Sequence, residues 1–263
     1  MSTLTRQQFL SKLEKGETLT GIDLSGIILT QMVMRDAKLE GVNLVQANMN
    51  ASLLEGAILR EADLSGASLE GTNLSRSDLR GALFKGARIE GANLREANLG
   101  GANLEGANLE GVNLQNARLV RTNLEGANLW GSDLENADLS GANLKGVNLM
   151  GSSLEGANLR QTNMERANLE GTNLTDANFE GANLSGAVFL YSNLAGANFT
   201  HTDLRGADLR AANLEGSDFR GAMLEGVPFE NSNWRKATLD AEVVRDLDER
   251  YPEPEGHNAI MFL

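Results

Sequence analysis

The side chains able to do chemistry in this 263-residue chain are 36 carboxylates, two histidines and a set of hydroxyls, and cysteine is absent. Without cysteine there is no disulfide, thiolate metal site, iron–sulfur cluster or thiol nucleophile. His201 and His257 stand far apart, so a histidine-rich metal site is excluded and a Ser-His-Asp triad lacks material. Paired carboxylates can act as general acid and base. Here they recur at outward positions of a regular pattern, and no inserted loop breaks that pattern to build a water-excluding pocket. The same pattern puts His201 at an outward corner, as a solvated residue. The 29 glycines follow a period of five and lack the strand-to-helix context of a phosphate loop. These residues argue against an enzyme: no catalytic residue, no metal site and no cofactor is expected.

Charge narrows the partners. The formal net charge is −13, which opposes sequence-independent binding to DNA or to anionic lipid. No apolar run is long enough to span a bilayer or to serve as a signal segment. The expectation is a cytoplasmic protein with no direct nucleic-acid or membrane partner.

What positions these side chains is a repeat. From 24 to 239, every residue whose number ends in 4 or 9 is large and apolar: 33 Leu, 6 Phe, 3 Met, Ile89 and Trp234. Two residues earlier, Ala fills 25 positions and Ser or Thr 12, the rest being Ile22, Ile27, Met32, Val42, Val112, Val147 and Val227. Asn or Asp mostly lies between, and within this stretch 25 glycines fall at numbers ending in 1 or 6. A five-residue step on a 3.6-residue helix would wind the leucines around every face, so a long helix and a heptad coiled coil are both excluded. Small-in, polar-out, large-in is local strand alternation. The two residues that follow turn a corner, where Gly tolerates positive φ. Such a unit cannot bury its apolar side alone, so the units must stack into a solenoid.

Units such as Ala102-Asn103-Leu104-Glu105-Gly106 resemble the pentapeptide repeat family, A(D/N)LXX, over about residues 22–241. The resemblance implies an all-β solenoid, a right-handed quadrilateral parallel β-helix with four pentapeptides per 20-residue coil, hence about 11 coils. The sequence supports 20 on its own account: Phe179, Phe199 and Phe219 are 20 apart. Seven of the 12 inward hydroxyls (Ser52, Thr72, Ser132, Ser152, Thr172, Ser192, Ser232) also share one class modulo 20. These hydroxyls are expected to bond backbone carbonyls along the column and to play no nucleophilic role.

The ends differ from the tower. Thr5-Arg6-Gln7-Gln8 offers a capping box, and Phe9, Leu10 and Leu13 share one face, which predicts a helix over 5–15 covering the first coil. Val243, Val244 and Leu247 predict a second capping helix over 241–250. The Pro-Glu-Pro-Glu-Gly run from Pro252 breaks regular structure, and the apolar stretch 259–263 is expected to dock on the tower or on another subunit. The domain reading is therefore 1–21 as N-terminal segment with capping helix, 22–241 as β-helix and 242–263 as C-terminal helix and tail.

Sorted by the 20-residue class, the four faces carry 7 acidic and 4 basic, 6 and 2, 8 and 5, and 7 and 7 residues. Glu70, Glu90 and Glu110 form one acidic ladder. The expected function is a non-catalytic structural or interaction scaffold that presents flat, rigid, mostly acidic ladders to a protein partner. The alternative is a DNA-mimicking protein that binds a DNA-binding protein such as DNA gyrase, a role that some members of the resembled family play. The absence of an inserted loop counts against it. The sequence also allows a homodimer through an end or through the apolar tail. The partner-binding residues are expected where apolar side chains interrupt outward positions: Trp130 and Met150 in adjacent coils, then Leu190 on the same column, with Tyr191 and Val188 beside it. Glu170 interrupts this strip.

Overall fold

A computed structural model describes residues 4–252. Residues 1–3 and 253–263 lie outside the described residues, and so do His257 and the apolar stretch 259–263.

One pentapeptide shows how the sequence makes the fold. The Leu144 N–H donates to the Asn163 carbonyl in the next coil (2.6 Å), and the Asn163 N–H donates back to Ala142 (3.0 Å). That exchange is a parallel bridge one residue long. The Val147 N–H then closes a turn on the Leu144 carbonyl (3.1 Å), with Gly146 at φ +63°. A turn closed from i to i+3 with positive φ at i+2 is type II. It swings the chain to the next side, where the Gly146 N–H donates to Glu165 above it (2.9 Å). Ala142 and Leu144 face inward, while Asn143 and Lys145 face out.

Repetition builds a parallel β-helix. Bridges link each residue to the one 20 further on, from Asp23–Asn43 to Asp203–Met223 in steps of five. Register is therefore four pentapeptides per coil. Stacked rings measure the rise: Phe179 to Phe199 is 4.8 Å and Phe199 to Phe219 is 4.7 Å between centroids, the planes within 6° of parallel. Phe189 packs edge-on against both Phe179 and Phe199. One continuous apolar core runs from Phe9 to Leu247.

All 12 inward hydroxyls donate to backbone carbonyls. Some reach the coil below, as Ser132 does to Leu109 (2.9 Å), and others close on their own turn, as Ser192 does to Phe189 (2.6 Å). Thr172 reaches both Leu149 and Leu169. The remainder follow one pattern or the other.

The ends depart from the repeat in ways its letters hide. Leu19, one unit before Leu24, already joins the ladder through Lys38 (3.1 Å) and is buried. Helix α1, Arg6–Glu14, starts with the Thr5–Gln8 capping box and puts Phe9 into the core. Ile22, Ile27 and Met32 are partly buried against the core. At the other end the leucine frame runs to Leu239, but the turns with positive φ stop at Asn231. A 3-10 turn, Trp234–Lys236, replaces the next one. Pro228 has no N–H to return to Ala207, and the bridge expected at Asp208 is missing. Helix α2, Ala241–Arg250, closes this end with Leu247 buried.

Candidate interaction surface

Outward side chains fall into columns, one residue per coil. The column that holds Trp130 reads Asn50, Glu70, Glu90, Glu110, Trp130, Met150, Glu170, Leu190, Arg210, Glu230. Its register is fixed by the backbone. Gly111, Gly131, Gly151 and Gly171 donate in turn to the carbonyls of Trp130, Met150, Glu170 and Leu190, at 2.9–3.0 Å. The asparagines two residues earlier add a second constraint. Asn128 and Asn148 accept from the N–H groups of Trp130 and Met150 (3.3 Å each), and the Asn148 amide donates back to Asn128 (3.0 Å). Side chains on this column therefore start from rigid, evenly spaced points, and little ordering entropy remains to be lost on binding.

Trp130 is 45% exposed, Met150 36% and Tyr191 67%. The indole nitrogen of Trp130 lies over Gly151 in the next coil, 4.0 Å from where a Cβ would stand, which is an ordinary contact distance. Leu190 and Val188 are half-buried rather than exposed. The structure places Trp130 and Met150 in adjacent coils of one column, both exposed. Leu190 and Tyr191 form a second cluster beyond Glu170. Tyr191 occupies a turn position with φ +59°, as do 16 other non-glycine residues among those described.

Charge flanks the strip on both sides. Below Trp130, Glu70 pairs with Arg88 (3.3 Å), Glu90 accepts from the Asn108 amide (2.6 Å) and Glu110 is exposed. Above Leu190, Arg210 grips Asp208 through both nitrogens of its fork, at 2.6 and 2.9 Å. That hydrogen-bonded guanidinium holds the Asp208 carboxyl below its usual range, and the pairing raises Arg210. The same Asp-x-Arg clasp lowers Asp78, Asp203 and Asp218.

Other apolar outliers escaped the sequence reading. Ile28 is 61% exposed and Val33 57%, and Leu83 and Met223 also face solvent. Their signal was available, since each replaces the Asn or Asp expected at a number ending in 3 or 8. Ile28 and Val33 stand side by side in the first coil and Leu83 and Met223 share a column seven coils apart, so the four do not join into one strip.

Concavities are shallow and sit where the repeat is interrupted. Grooves of 430 and 420 Å³ lie where α1 and α2 meet the end coils. A third, of 450 Å³, lies over Gly100 between Arg80 and Arg121. Among the described residues no group of three or more His, Asp or Glu gathers to hold a metal, and no helix is long and apolar enough to cross a membrane. His201 stands exposed at a corner over Gly221.

The repeat itself decides the kinship. The family model for pentapeptide repeats matches the chain over residues 18–56, 47–86, 57–95, 87–126, 117–156, 152–189 and 192–231. The chain belongs to the pentapeptide repeat family. Among solved structures it is similar to HetL, a pentapeptide repeat protein involved in heterocyst differentiation regulation in the cyanobacterium Nostoc sp. strain PCC 7120. The two are 32% identical over 89% of this chain and 96% of that one, with a TM-score of 0.34. It is also similar to trypsin-treated QnrB1, a plasmid-mediated fluoroquinolone resistance protein, at 20% identity over 88% of this chain and 96% of that one, with a TM-score of 0.45. A thylakoid-lumen pentapeptide repeat protein of Arabidopsis thaliana is 30% identical over 46% of this chain and 77% of its own, with a TM-score of 0.17. A comparison with curated proteins finds no match.

Proposed function

We propose that this pentapeptide repeat protein is a non-catalytic scaffold of the cytoplasm that presents rigid, mostly acidic ladders to a protein partner. In this reading residues 22–241 are the presenting tower. Its 44 pentapeptides at four per coil make eleven coils, closed at one end by helix α1 within the segment 1–21 and at the other by helix α2 at the start of the segment 242–263. The contact strip is Trp130, Met150, Leu190 and Tyr191. The observation that carries the reading is an exposed Trp–Met pair set on a column whose carbonyls are bonded coil to coil and whose Asn108, Asn128 and Asn148 amides bond one another. Large apolar side chains on a pre-ordered surface are the usual energetic centre of a protein interface.

The test is a double substitution, Trp130→Ala with Leu190→Ser, in the full chain. Proteins captured by the wild type are expected to be lost. The melting temperature should move little for Trp130, and by a degree or two for the half-buried Leu190 at most, about 0.5 kcal/mol. Unchanged capture would remove the strip from consideration.

A further inference from the structure

On the side of the square coil opposite Trp130 lies a recess that the scaffold reading does not use. The column there reads Arg60, Arg80, Gly100, Val120, Ser140, Arg160, and Gly100 floors the 450 Å³ concavity. Backbone conformation does not call for this glycine. Among the described residues every other glycine stands at positive φ, and Gly100 alone does not. A Cβ there would meet Asn98 Oδ1 at 3.3 Å, and Arg80 Cγ and the Val120 carbonyl oxygen at 3.9 Å. Glu105 carries a full side chain in the same local setting: its N–H donates to Asn103 (3.1 Å) as that of Gly100 does to Asn98 (3.1 Å). What the glycine contributes is the missing bulk.

Two arginines border the recess without a counter-charge. Residues 22–241 include 14 arginines; twelve of them make ion pairs, and Arg118 and Arg121 make none among the described residues. Both are exposed and line the recess. The nearby carboxylates serve other groups. Arg80 holds both oxygens of Asp78 (2.7 and 2.8 Å). Asp138, one coil above Arg118, accepts from the Ser140 N–H (3.1 Å) and the Asn158 amide (3.0 Å).

This chemistry selects a carboxylate on a short aliphatic stem. The backbone donors at the floor are already bonded, Gly100 to Asn98 and Gly101 to the Val120 carbonyl (3.0 Å), so no nest of N–H groups faces a phosphate. The donors left are two guanidiniums, whose planar forks match the two oxygens of a carboxylate. The half-buried Val120 and the Arg80 methylenes suit the CH₂ groups of Asp or Glu. The net charge of −13 opposes such a ligand at long range, but physiological salt screens it beyond about 8 Å.

We propose that Arg118 and Arg121, over Gly100, bind a carboxylate side chain from an acidic segment of a protein partner. This goes beyond the scaffold reading and fails separately from it, because the Trp130 column lies ten residues away around the 20-residue coil.

The probe is a fluorescein-labelled polyglutamate peptide, titrated into the full chain and followed by anisotropy. Arg118→Gln with Arg121→Gln should weaken its binding at least about tenfold, the loss expected of hydrogen bonds to a charged group. Gly100→Glu should act in the same direction by placing the chain's own carboxylate beneath the arginines. Arg166→Gln, which changes an arginine already paired with Glu165, should bind the peptide as the natural chain does. Glutarate and inorganic phosphate, added as competitors, are expected to displace the peptide only in large excess. A peptide that does not bind, or that binds the two recess variants as well as the natural chain, would overturn the proposal. So would displacement by glutarate or phosphate at concentrations equal to the peptide's, which would assign the recess to a free anion.

Discussion

The middle of the tower and its last coil have the same sequence grammar and different physical support. Around Leu144, each coil is bonded to one below and one above, and the inward leucine is fully enclosed. Around Leu224 the coil has a neighbour on one side only. Pro228 withholds a donor, a 3-10 turn replaces a type II turn, and Leu224 itself is only partly buried. Helix α2 supplies what the missing coil would have, but with different partners: the Asp240 carboxylate accepts from the Gly221 N–H (2.8 Å) and Arg250 donates to Val227 (2.9 Å). The contrast shows that a repeat's stability resides in the interface between units, because identical letters hold well or poorly according to what stacks on them.

Matched truncations should break this comparison if it is wrong. Leu144→Ala opens a cavity between two coils that cannot collapse, at a cost of about 3–5 kcal/mol. Leu224→Ala borders solvent and helix α2, which can settle into the space, so about 1–2 kcal/mol is expected. Urea denaturation of the two variants is the measurement. Equal losses would mean that the last coil is as tightly held as the middle.

The period of five makes nearly all of the tower legible before any coordinate is seen, because it fixes which side chains point inward. The Phe179–Phe199–Phe219 column and the hydroxyl column were both readable as residues 20 apart, and they stack and bond as such. What the letters did not carry was set by neighbours outside the repeat. Leu19 joins the ladder because Lys38 lies above it, and the turn at Trp234 fails although Trp234 sits in frame. The candidate site was legible in position and less so in exposure. Leu190 sits on the outward column yet is half-buried, while Ile28 and Val33, passed over, are the most exposed aliphatic side chains. An outward position specifies direction, and the side chains above and below decide how much water reaches it.

Acid should sharpen the difference between the two regions. Asp78, Asp203, Asp208 and Asp218 are lowered chiefly by hydrogen bonds from the arginine two residues on. A carboxyl whose folded pKa lies below its unfolded value of about 3.9 adds stability that is fully present above that value. The stability is lost as pH falls through the depressed folded pKa. Three of the four lie between residues 203 and 218, beside the poorly supported end. Hydrogen exchange at decreasing pH is therefore expected to lose protection first there and last in the coils around Leu144. Asp208→Asn should weaken that local acid dependence. Uniform loss along the tower would show that the clasps do not set the order.

The smallest effect concerns Tyr191, where two terms of opposite sign nearly cancel. Equivalent positions hold glycine from Gly71 to Gly171 and Gln31, Ala51, Ala211 and Asn231 in the remaining coils, and nothing stands within 4 Å of a Cβ added at Gly171. Packing therefore does not demand a tyrosine at 191, and its φ of +59° costs about 1–2 kcal/mol for an L side chain. Tyr191→Gly removes that cost but returns about 0.5–1 kcal/mol of backbone freedom to the unfolded chain. The net expectation is a gain of about 0.5 kcal/mol, read as a slight rise in denaturation midpoint. Partner capture, by contrast, should weaken clearly, since the ring is 67% exposed and stands beside Leu190 and Arg210. Positive φ does not by itself mark Tyr191, since Arg76, Arg121, Arg166 and His201 share it; what a partner would lose is the exposed ring beside Leu190. Undiminished capture by the Tyr191→Gly protein would confine the contact strip to Trp130 and Met150.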